Sequence, residues 1–226
     1  ALVGEIILDE TLWSCTTCSA CVDVCPLGIS PLGFITDMRR SLVADGKLRG
    51  SPAQALQKTG RTGNPWGMPG QDRMAWATGL DVPNVQANPD CEVLYWVGCA
   101  AAYDRRLQKV ARSVVKLMQA AKIDFAVLGN SERCTGEAAR RMGDELLFQQ
   151  LAGKNIETFE RFGIRKGAKR IVSHCPHCVN SFRQDYPQLG MNLEVSHHTE
   201  FLDELIRSGR LKVSANASSS SGGRLS

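Results

Sequence analysis

The sequence has little of what nucleic-acid-binding and membrane-spanning proteins need. Aromatic residues make up only 6% of its 226 residues and the formal net charge is only +4, so base-stacking platforms and a strongly basic surface are both lacking. The longest uninterrupted apolar run, Val93 to Tyr103, has eleven residues, whereas a helix that crosses a bilayer needs about 20. We therefore expect no nucleic-acid partner and no transmembrane segment in this chain.

The amino terminus also lacks the features of a secretory signal. Its first ten residues, ALVGEIILDE, contain three acidic residues and no basic residue. Nine cysteines are nevertheless present, an odd number. In a protein without an export signal, closely spaced thiols are expected to bind metal or to carry out redox chemistry rather than to form structural disulfides. From the missing signal and the thiol usage we expect a cytoplasmic protein. With 43% hydrophobic residues the chain can also bury a core.

The composition divides the chain into four parts: a cysteine-containing segment, a connector rich in glycine and proline, a region of alternating strands and helices, and a Ser/Gly-rich tail. Their bounds are 1–46, 47–90, 91–213 and 214–226. One helix is predicted in the first part, starting at Ser30 and Pro31 and stopping at Gly46. The connector is expected to pack as irregular structure and the tail to be disordered.

The third part alternates apolar strand patterns with amphipathic helix patterns. Strands are predicted at 93–97, 123–128, 171–173 and 193–196, and helices at about 107–121, 137–162 and 199–208. A break in the long helix is expected near Gly143 or Gly153. Such alternation is typical of a parallel sheet with right-handed crossovers, so the predicted fold class is α/β.

The first cysteine group has the spacing of bacterial ferredoxins. Its members follow the pattern CxxCxxCxxxCP and are Cys15, Cys18, Cys21 and Cys25, followed by Pro26. Gaps of two residues let a tight loop bring three thiolates to one face of a cubane, and the proline turns the chain out of the loop. Zinc sites more often pair two CxxC units across a longer gap. We therefore predict a small α-helical ferredoxin-like [4Fe–4S] segment.

The fourth ligand of this first cluster is open. In two-cluster ferredoxins the fourth cysteine ligates the other cluster, and the chain has no second run of this kind. Either Cys25 closes its own cluster, or Cys91 or a residue from a longer protein takes its place. Trp13, just before the loop, either shields the cluster from water or anchors the segment at the surface.

The second cysteine group follows successive strands. Cys99 follows the first predicted strand, Cys134 follows the second, and Cys175 and Cys178 follow the third. The carboxyl ends of parallel strands lie along one edge of a sheet, where open α/β sheets bind ligands. We therefore expect these four thiols to converge and to bind a second iron–sulfur cluster. Each also lies near a predicted helix N-terminus, which favours the thiolate.

Two alternatives stay open for this second group. Cys175-Pro-His-Cys178 alone is similar to the active site of a thiol–disulfide oxidoreductase. The four thiolates could also hold zinc in an interaction module. All four histidines follow the third and fourth strands, and each is interpreted as an ordinary polar loop residue: His174, His177, His197 and His198. The arginine pairs at 39–40, 105–106 and 140–141 are interpreted as solvated helix faces, able at most to dock an acidic partner.

Together these motifs resemble one family. The segment WSCTTCSACVDVCP at 13–26 resembles the ferredoxin segment of heterodisulfide reductase-like Fe–S oxidoreductases, the cysteine-rich "CCG" family. The segments YWVGC at 95–99, ERCTG at 132–136 and HCPHC at 174–178 resemble its cysteine-rich domain. Glycolate and lactate oxidase iron–sulfur subunits are similar relatives. The resemblance covers about residues 5–212.

The resemblance implies an oxidoreductase that carries [4Fe–4S] clusters. By position, the first four cysteines correspond to ferredoxin-type ligands and the second four to ligands of the cysteine-rich domain. It further implies electron transfer with a flavoprotein such as electron-transfer flavoprotein, or with a membrane quinone-reactive subunit. Peripheral association with the inner face of the cytoplasmic membrane follows as an expectation.

Three departures from the family pattern qualify these implications. Thr135 stands where the family's name motif has a second cysteine, so an ordinary four-thiolate [4Fe–4S] site is more compatible with the thiols available than a noncubane cluster. Relatives usually carry another ferredoxin run upstream and a second cysteine-rich repeat downstream. The chain is therefore expected to be the middle of a larger protein or a reduced version of one.

Overall fold

The computed structural model of the protein describes residues 2–212, so the predicted tail at 214–226 lies outside the described residues. The α-helices in this range are α1 (Asp9–Trp13), α2 (Ala20–Asp23), α3 (Pro31–Ala44), α4 (Gly50–Thr62), α5 (Gly98–Tyr103), α6 (Arg105–Ala120), α7 (Glu137–Met142), α8 (Glu145–Arg161), α9 (Pro176–Asn180) and α10 (His198–Arg207). The strands are β1 (Val93–Trp96), β2 (Phe125–Ala126), β3 (Arg170–Ser173) and β4 (Glu194–His197). Short 3-10 or π-type turns lie at Leu2–Ile6, Gly70–Ala77, Gly129–Ser131, Ser181–Asp185 and Tyr186–Leu189.

The four strands form one parallel sheet in the order β2-β1-β3-β4. β1 pairs along its whole length with β3, and β3 pairs with β4 in the same way. The chain moves outward from β1 to β2 and later returns to the other side of β1 to form β3. This order creates a switch point between β1 and β3, and open α/β sheets bind ligands at such a point. The predicted α/β fold class is confirmed.

Strand β1 is buried on both faces, which accounts for its continuous apolar sequence. Successive side chains of a strand point to opposite faces. Leu94 and Trp96 accordingly join one hydrophobic cluster with α8, whereas Val93 and Tyr95 join a second cluster with α6 and α10. Each fully buried large apolar side chain contributes about 1.5–3 kcal/mol, so the two clusters hold the sheet and its carboxyl edge firmly in place.

The helix boundaries follow the signals in the sequence. Helix α3 starts at Pro31 after Ser30 and ends before Gly46. The long helical stretch is broken at Gly143, which adopts a φ of 87° between α7 and α8. The Asp144 side chain caps α8 by accepting a hydrogen bond from the Leu147 amide at 3.1 Å. Both the start of α3 and the break near Gly143 are therefore confirmed.

Strand β2 is shorter than the predicted run at 123–128. Only Phe125 and Ala126 pair with β1. Val127 pairs with the connector instead: its amide donates to the Pro83 carbonyl and its carbonyl accepts from the Val85 amide, both at 2.9 Å. The connector thus covers the outer edge of the sheet.

The connector is more ordered than its glycine and proline content suggests. The prediction of irregular structure is wrong for residues 50–62, which form α4 and bury Leu56 in the first hydrophobic cluster. Helix α4 ends at Gly63, whose φ of 74° is the left-handed conformation that closes many helices. A 3-10 turn at Gly70–Ala77 then buries Trp76 in the second cluster.

The amino-terminal segment packs on the strand-and-helix region through α3 and α7. A Cβ atom added to Gly143 would lie 2.6 Å from the Arg39 carbonyl carbon, so only glycine permits this approach. Arg39 is 2% exposed and donates hydrogen bonds to the carbonyls of Leu12, Cys15 and Arg141 at 2.5–3.0 Å. The interpretation of the 39–40 pair as solvated is therefore wrong for Arg39, whose guanidinium joins the two parts of the chain.

The other two arginine pairs differ from each other. Arg105 and Arg106 are exposed, as expected. Arg140 and Arg141 form ion pairs with Asp185, a carboxylate that is 3% exposed. The sequence-based interpretation is therefore wrong for the pair at 140–141, because a charged partner from a distant turn draws both side chains inward.

None of the helices in the described range combines the length and the apolar composition that crossing a bilayer requires.

Candidate metal centre

The carboxyl edge of the sheet brings the second cysteine group together. Cys99 lies in the first turn of α5 after β1, and Cys134 lies in the loop before α7. Cys175 precedes α9 as its N-cap, and Cys178 lies within α9. Thr135, next to Cys134, donates to the Cys178 Sγ at 3.9 Å, and a Cβ atom added to Gly98, next to Cys99, would lie 3.7 Å from the same sulfur. The four sulfurs therefore meet across the switch point between β1 and β3.

Within each pair the two thiols have opposite pKa shifts. The hydrogen bond from Cys134 lowers the pKa of Cys99, and the nearby Arg73 cation lowers it further. The hydrogen bond from Cys178 lowers the pKa of Cys175 to about 6. The same hydrogen bonds, together with burial, raise the pKa of Cys134 and Cys178 above their usual value. These pKa shifts favour the thiolate form at Cys99 and Cys175 over their partners.

Gly98 shapes the floor of this centre. Its φ is 77°, and a Cβ atom added there would lie 3.5 Å from the Cys175 Cβ and 3.7 Å from the Cys178 Sγ. Glycine therefore lets the backbone after β1 approach the cysteines that follow β3. A side chain at this position would be strained and would crowd the space between the two pairs of sulfurs.

Polar groups are directed at the sulfurs. The Gly136 amide donates to the Cys134 Sγ at 3.5 Å, and the Thr135 hydroxyl donates to the Cys178 Sγ at 3.9 Å. The Arg73 guanidinium lies 3.7 and 3.9 Å from the Cys99 Sγ. Donors of this kind stabilise the thiolate ligands of iron–sulfur clusters. The set of four thiols with donors around them therefore fits an iron–sulfur group, with a hydroxyl at Thr135 where the family motif has another thiol.

The connector contributes directly to the centre, which its sequence did not indicate. The Gly63 carbonyl at the end of α4 accepts from the Cys134 amide at 2.8 Å and lies 3.5 Å from the Cys99 Sγ. Arg73 binds the Glu132 carboxylate at 2.6 Å. That carboxylate also accepts from the amides of Val97 and Gly98 at 2.9 and 2.8 Å. Burial alone would lower the pKa of Arg73, but Glu132 and Cys99 raise it above its usual value.

A second polar group fixes the loop that carries Cys134. The Asn155 side-chain amide donates to the Cys134 carbonyl at 3.1 Å and to the Tyr186 hydroxyl at 3.0 Å. The Tyr186 hydroxyl donates to the Thr135 carbonyl at 3.1 Å. Asn155 and Tyr186 are 1% and 0% exposed. Their side chains therefore hold a non-repetitive loop rigidly, and no local sequence signal marks them.

Three of the histidines form a separate group beside the sulfurs. The Tyr95 hydroxyl lies 2.8 Å from the His174 Nδ1, and the His197 Nε2 lies 3.2 Å from the His198 Nδ1. Burial, and then the neighbouring histidines, lower the pKa of His174 to about 4. His177 is instead exposed and lies near Glu137.

The first cysteine group lies in a loop with two unusual backbone conformations. Thr17 and Ser19 have φ values of 55° and 67°, which non-glycine residues adopt mainly where the surroundings enforce them. The Thr17 and Ile29 amides donate to the sulfurs of Cys15 and Cys25, both at 3.4 Å. The Ala20 amide and the Thr16 hydroxyl lower the pKa of Cys18. The loop therefore offers amide donors to its sulfurs, and within residues 2–212 no hydrogen bond joins two of these four thiols.

The remaining candidates lie elsewhere. Cys91 is 2% exposed in the first hydrophobic cluster, two residues before β1 and at the opposite end of the strand from Cys99. The structure does not bring it to the first cysteine group, and burial raises its pKa. Trp13 stacks under the Arg39 guanidinium, 5.5 Å from it. Within residues 2–212, no three His, Cys, Asp or Glu side chains stand close enough to enclose a single metal ion.

A cleft of about 710 Å³ separates the two cysteine motifs. Thr17 and Cys18 line one wall, and Pro176 and His177 line the other. The arginines of the cleft are paired with its own carboxylates, as for Arg141 with Asp185. The cleft is therefore close to both cysteine groups without a strong charge of one sign.

Known proteins similar to this chain are oxidoreductases by name. Residues 93–183 match the family model described as CCG, cysteine-rich domain. The chain is 41% identical over 220 residues to the probable iron-sulfur-binding oxidoreductase FadF of Bacillus subtilis, covering 94% of this chain and 31% of that protein. It is 36% identical over 220 residues to EtfAB:quinone oxidoreductase of Syntrophomonas wolfei, covering 95% and 30%.

A third relative comes from Methanosarcina barkeri. The chain is 32% identical over 210 residues to one subunit of its dihydromethanophenazine:CoB--CoM heterodisulfide reductase, covering 90% of this chain and 49% of that polypeptide. The predicted resemblance to the heterodisulfide reductase-like Fe–S oxidoreductases is confirmed. It spans between about a third and a half of the length of these relatives. No solved structure is significantly similar to it.

Proposed function

We propose that this chain is the iron–sulfur electron-transfer part of an oxidoreductase. The observation that carries the proposal is the meeting of Cys99, Cys134, Cys175 and Cys178 at the switch point of the sheet, with donors directed at their sulfurs. Three separate strand ends deliver these thiols, although 79 positions separate the first from the last. Four thiols at one ligand-binding edge provide the ligand set of an iron–sulfur cluster.

In this proposal each of the two cysteine groups binds its own cluster. Residues 1–46 act as the ferredoxin-type segment, with Cys15, Cys18, Cys21 and Cys25 as ligands of a [4Fe–4S] cluster. Residues 91–213 form the cysteine-rich domain, in which the second group ligates a further [4Fe–4S] cluster. Bound clusters would supply one-electron transfer. The protein supplies the rest: amides and Arg73 stabilise the thiolates, and Arg39 fixes the first segment against the second.

The proposed partner is a flavoprotein such as electron-transfer flavoprotein, or a membrane quinone-reactive subunit. A relative that covers 95% of this chain is named EtfAB:quinone oxidoreductase, which supports both. Quinones reside in membranes, so we propose a location at the inner face of the cytoplasmic membrane. The connector at 47–90 is part of the second centre in this proposal, since its Gly63 and Arg73 contact Cys99.

Metal analysis tests this proposal. The 226-residue chain is purified anaerobically, and its iron and acid-labile sulfide are measured beside those of C134S. We expect both elements in equal amounts, and a loss of about half of each in C134S because one of two clusters is removed. C91S is the matched control, since Cys91 is buried away from both groups, and it should keep its full content. Zinc without labile sulfide would contradict the proposal and favour the zinc-binding module.

One observation favours a second candidate, a thiol–disulfide oxidoreductase. Cys175 is the partly exposed N-cap of α9, and the thiol of buried Cys178 hydrogen-bonds to it. A reactive cysteine at a helix N-terminus with a buried partner is the arrangement of CxxC redox enzymes. Iodoacetamide labelling of the purified, reduced protein separates the two candidates. Rapid labelling of Cys175 alone supports the second candidate, whereas protection of all four thiols supports the iron–sulfur centre.

A further inference from the structure

A buried pair of opposite charges lies beside one corner of the second cysteine group. Arg73 and Glu132 are each 3% exposed, and their side chains are 2.6 Å apart. The guanidinium also reaches the Cys99 Sγ at 3.7 and 3.9 Å. One buried cation therefore contacts a carboxylate and a sulfur at the same time.

The backbone around Cys99 fixes the carboxylate. The Val97 and Gly98 amides donate to the two oxygens of Glu132 at 2.9 and 2.8 Å. Arg73 belongs to the 3-10 turn at Gly70–Ala77. The Tyr103 ring covers its guanidinium, and the ring centroid lies 5.9 Å from the guanidinium carbon. Both charges are thus fixed relative to Cys99, and neither side chain is free to rotate away.

Stability alone does not explain the pair. A buried ion pair costs desolvation energy, and replacing one with apolar residues of similar volume is often neutral or stabilising. The arrangement is also unequal around the centre. In the described part of the chain, the donors to Cys134 and Cys178 are a neutral amide and a neutral hydroxyl, whereas Cys99 receives a full positive charge. That asymmetry indicates an electrostatic role at this corner.

We infer that Arg73 and Glu132 form an opposed charge pair that sets the reduction potential of the iron–sulfur site at Cys99. This inference rests on the proposed function, since it needs a cluster ligated by Cys99. Reduction adds negative charge to a cluster, so a fixed cation 3.7 Å from a ligand sulfur favours the reduced state and raises the potential. The Glu132 carboxylate favours the oxidised state and lowers the potential, so it limits the effect of Arg73. Arg73 and Glu132 are positioning residues of the centre, not ligands.

The sign of the shift tests the inference. Reduction potentials of the two clusters are measured by redox titration with paramagnetic resonance on the anaerobically purified protein. R73Q removes the cation and should shift the potential of the second cluster to a more negative value. E132Q removes the anion and should shift it to a more positive value. The R73Q/E132Q double variant should return near the unmodified value, and R73K should lie between R73Q and the unmodified protein.

The controls separate electrostatics from damage. Arg112 donates to the Trp76 and Thr78 carbonyls of the same connector and makes no sulfur contact, so R112Q should leave both potentials unchanged. The first cluster is an internal reference in every variant. Shifts of the same sign in R73Q and E132Q, or no shift in either, would overturn the inference. If R73Q does not assemble, E132Q decides alone: a more positive potential supports the pair, and an unchanged or more negative one overturns it.

A different result would refute the proposed function instead. If the unmodified protein shows no second cluster, then Cys99, Cys134, Cys175 and Cys178 are not cluster ligands. The proposed function is wrong in that case, and the charge pair has no cluster potential to set. If the second cluster is present and only the variants behave otherwise, the proposed function stands and the charge pair is structural. The two failures are therefore distinguishable in one series of titrations.

Discussion

The Cys134 amide donates a hydrogen bond to the Gly63 carbonyl at 2.8 Å. This contact ties the loop that carries one candidate ligand to the end of a helix in the connector. Because Gly63 has a φ of 74°, its carbonyl can turn out of α4 and face the sulfurs. The connector is therefore part of the centre and not merely a link between two domains.

Substitution of Gly63 should weaken the protein. A Cβ atom at Gly63 would lie 3.3 Å from the Arg133 Cγ, in a backbone conformation that other residues adopt at a cost. We expect G63A to lower the free energy of unfolding by about 1 kcal/mol. G153A is the matched control: this glycine lies inside α8 with no atom within 4 Å of the added carbon, so alanine should stabilise by about 0.5–1 kcal/mol. Urea unfolding followed by circular dichroism measures both, and effects of equal sign would contradict this role of Gly63.

Substitution of Arg39 should loosen the amino-terminal segment. R39Q removes a buried cation that donates to the Leu12, Cys15 and Arg141 carbonyls, and buried acceptors left without donors cost about 1–3 kcal/mol each. We expect a loss of roughly 2–4 kcal/mol and faster proteolysis within the first segment. R40Q is the control on the same helix. Its ion pairs are partly exposed, so a loss under about 1 kcal/mol is expected. Equal losses in both variants would show that Arg39 has no special role.

The buried histidine predicts a pH dependence of stability. The pKa of His174 is lowered from 6.5 to about 4 in the fold, so the unfolded chain binds a proton below about pH 6.5 while the folded chain does not. The contribution of His174 to stability is complete above pH 6.5 and is lost as the pH falls toward 4, with a slope of up to about 1.4 kcal/mol per pH unit. H174Q should therefore show a shallower fall of the thermal midpoint between pH 7 and pH 5. H177Q, at an exposed histidine, should keep the slope of the unmodified protein, and a steep slope in H174Q would refute the prediction.

Much of the fold could be predicted because its signals are local. Apolar runs mark β1 and β3, Pro31 marks the start of α3, and Gly143 marks a break. The parallel sheet then implies which thiols share an edge, so the meeting of the second cysteine group follows from topology alone.

The missed features depend on contacts between distant residues. Helix α4 contains Gly60 and Pro52 and has few apolar residues, so its stability comes from packing of Leu56 and not from propensity. Burial of Arg39 and Arg73 depends on acceptors more than 20 positions away in the chain. Charged residues are ordinarily exposed, so the residue type alone predicts exposed side chains at Arg39 and Arg73, which is wrong.

The most direct test of the two-cluster proposal is paramagnetic resonance with spin counting on the dithionite-reduced protein and on C134S. We predict two iron–sulfur signals from the unmodified protein and loss of one of them in C134S, with the signal of the Cys15–Cys25 cluster retained. A single signal that C134S leaves unchanged would contradict the central claim, because Cys99, Cys134, Cys175 and Cys178 would then hold no cluster.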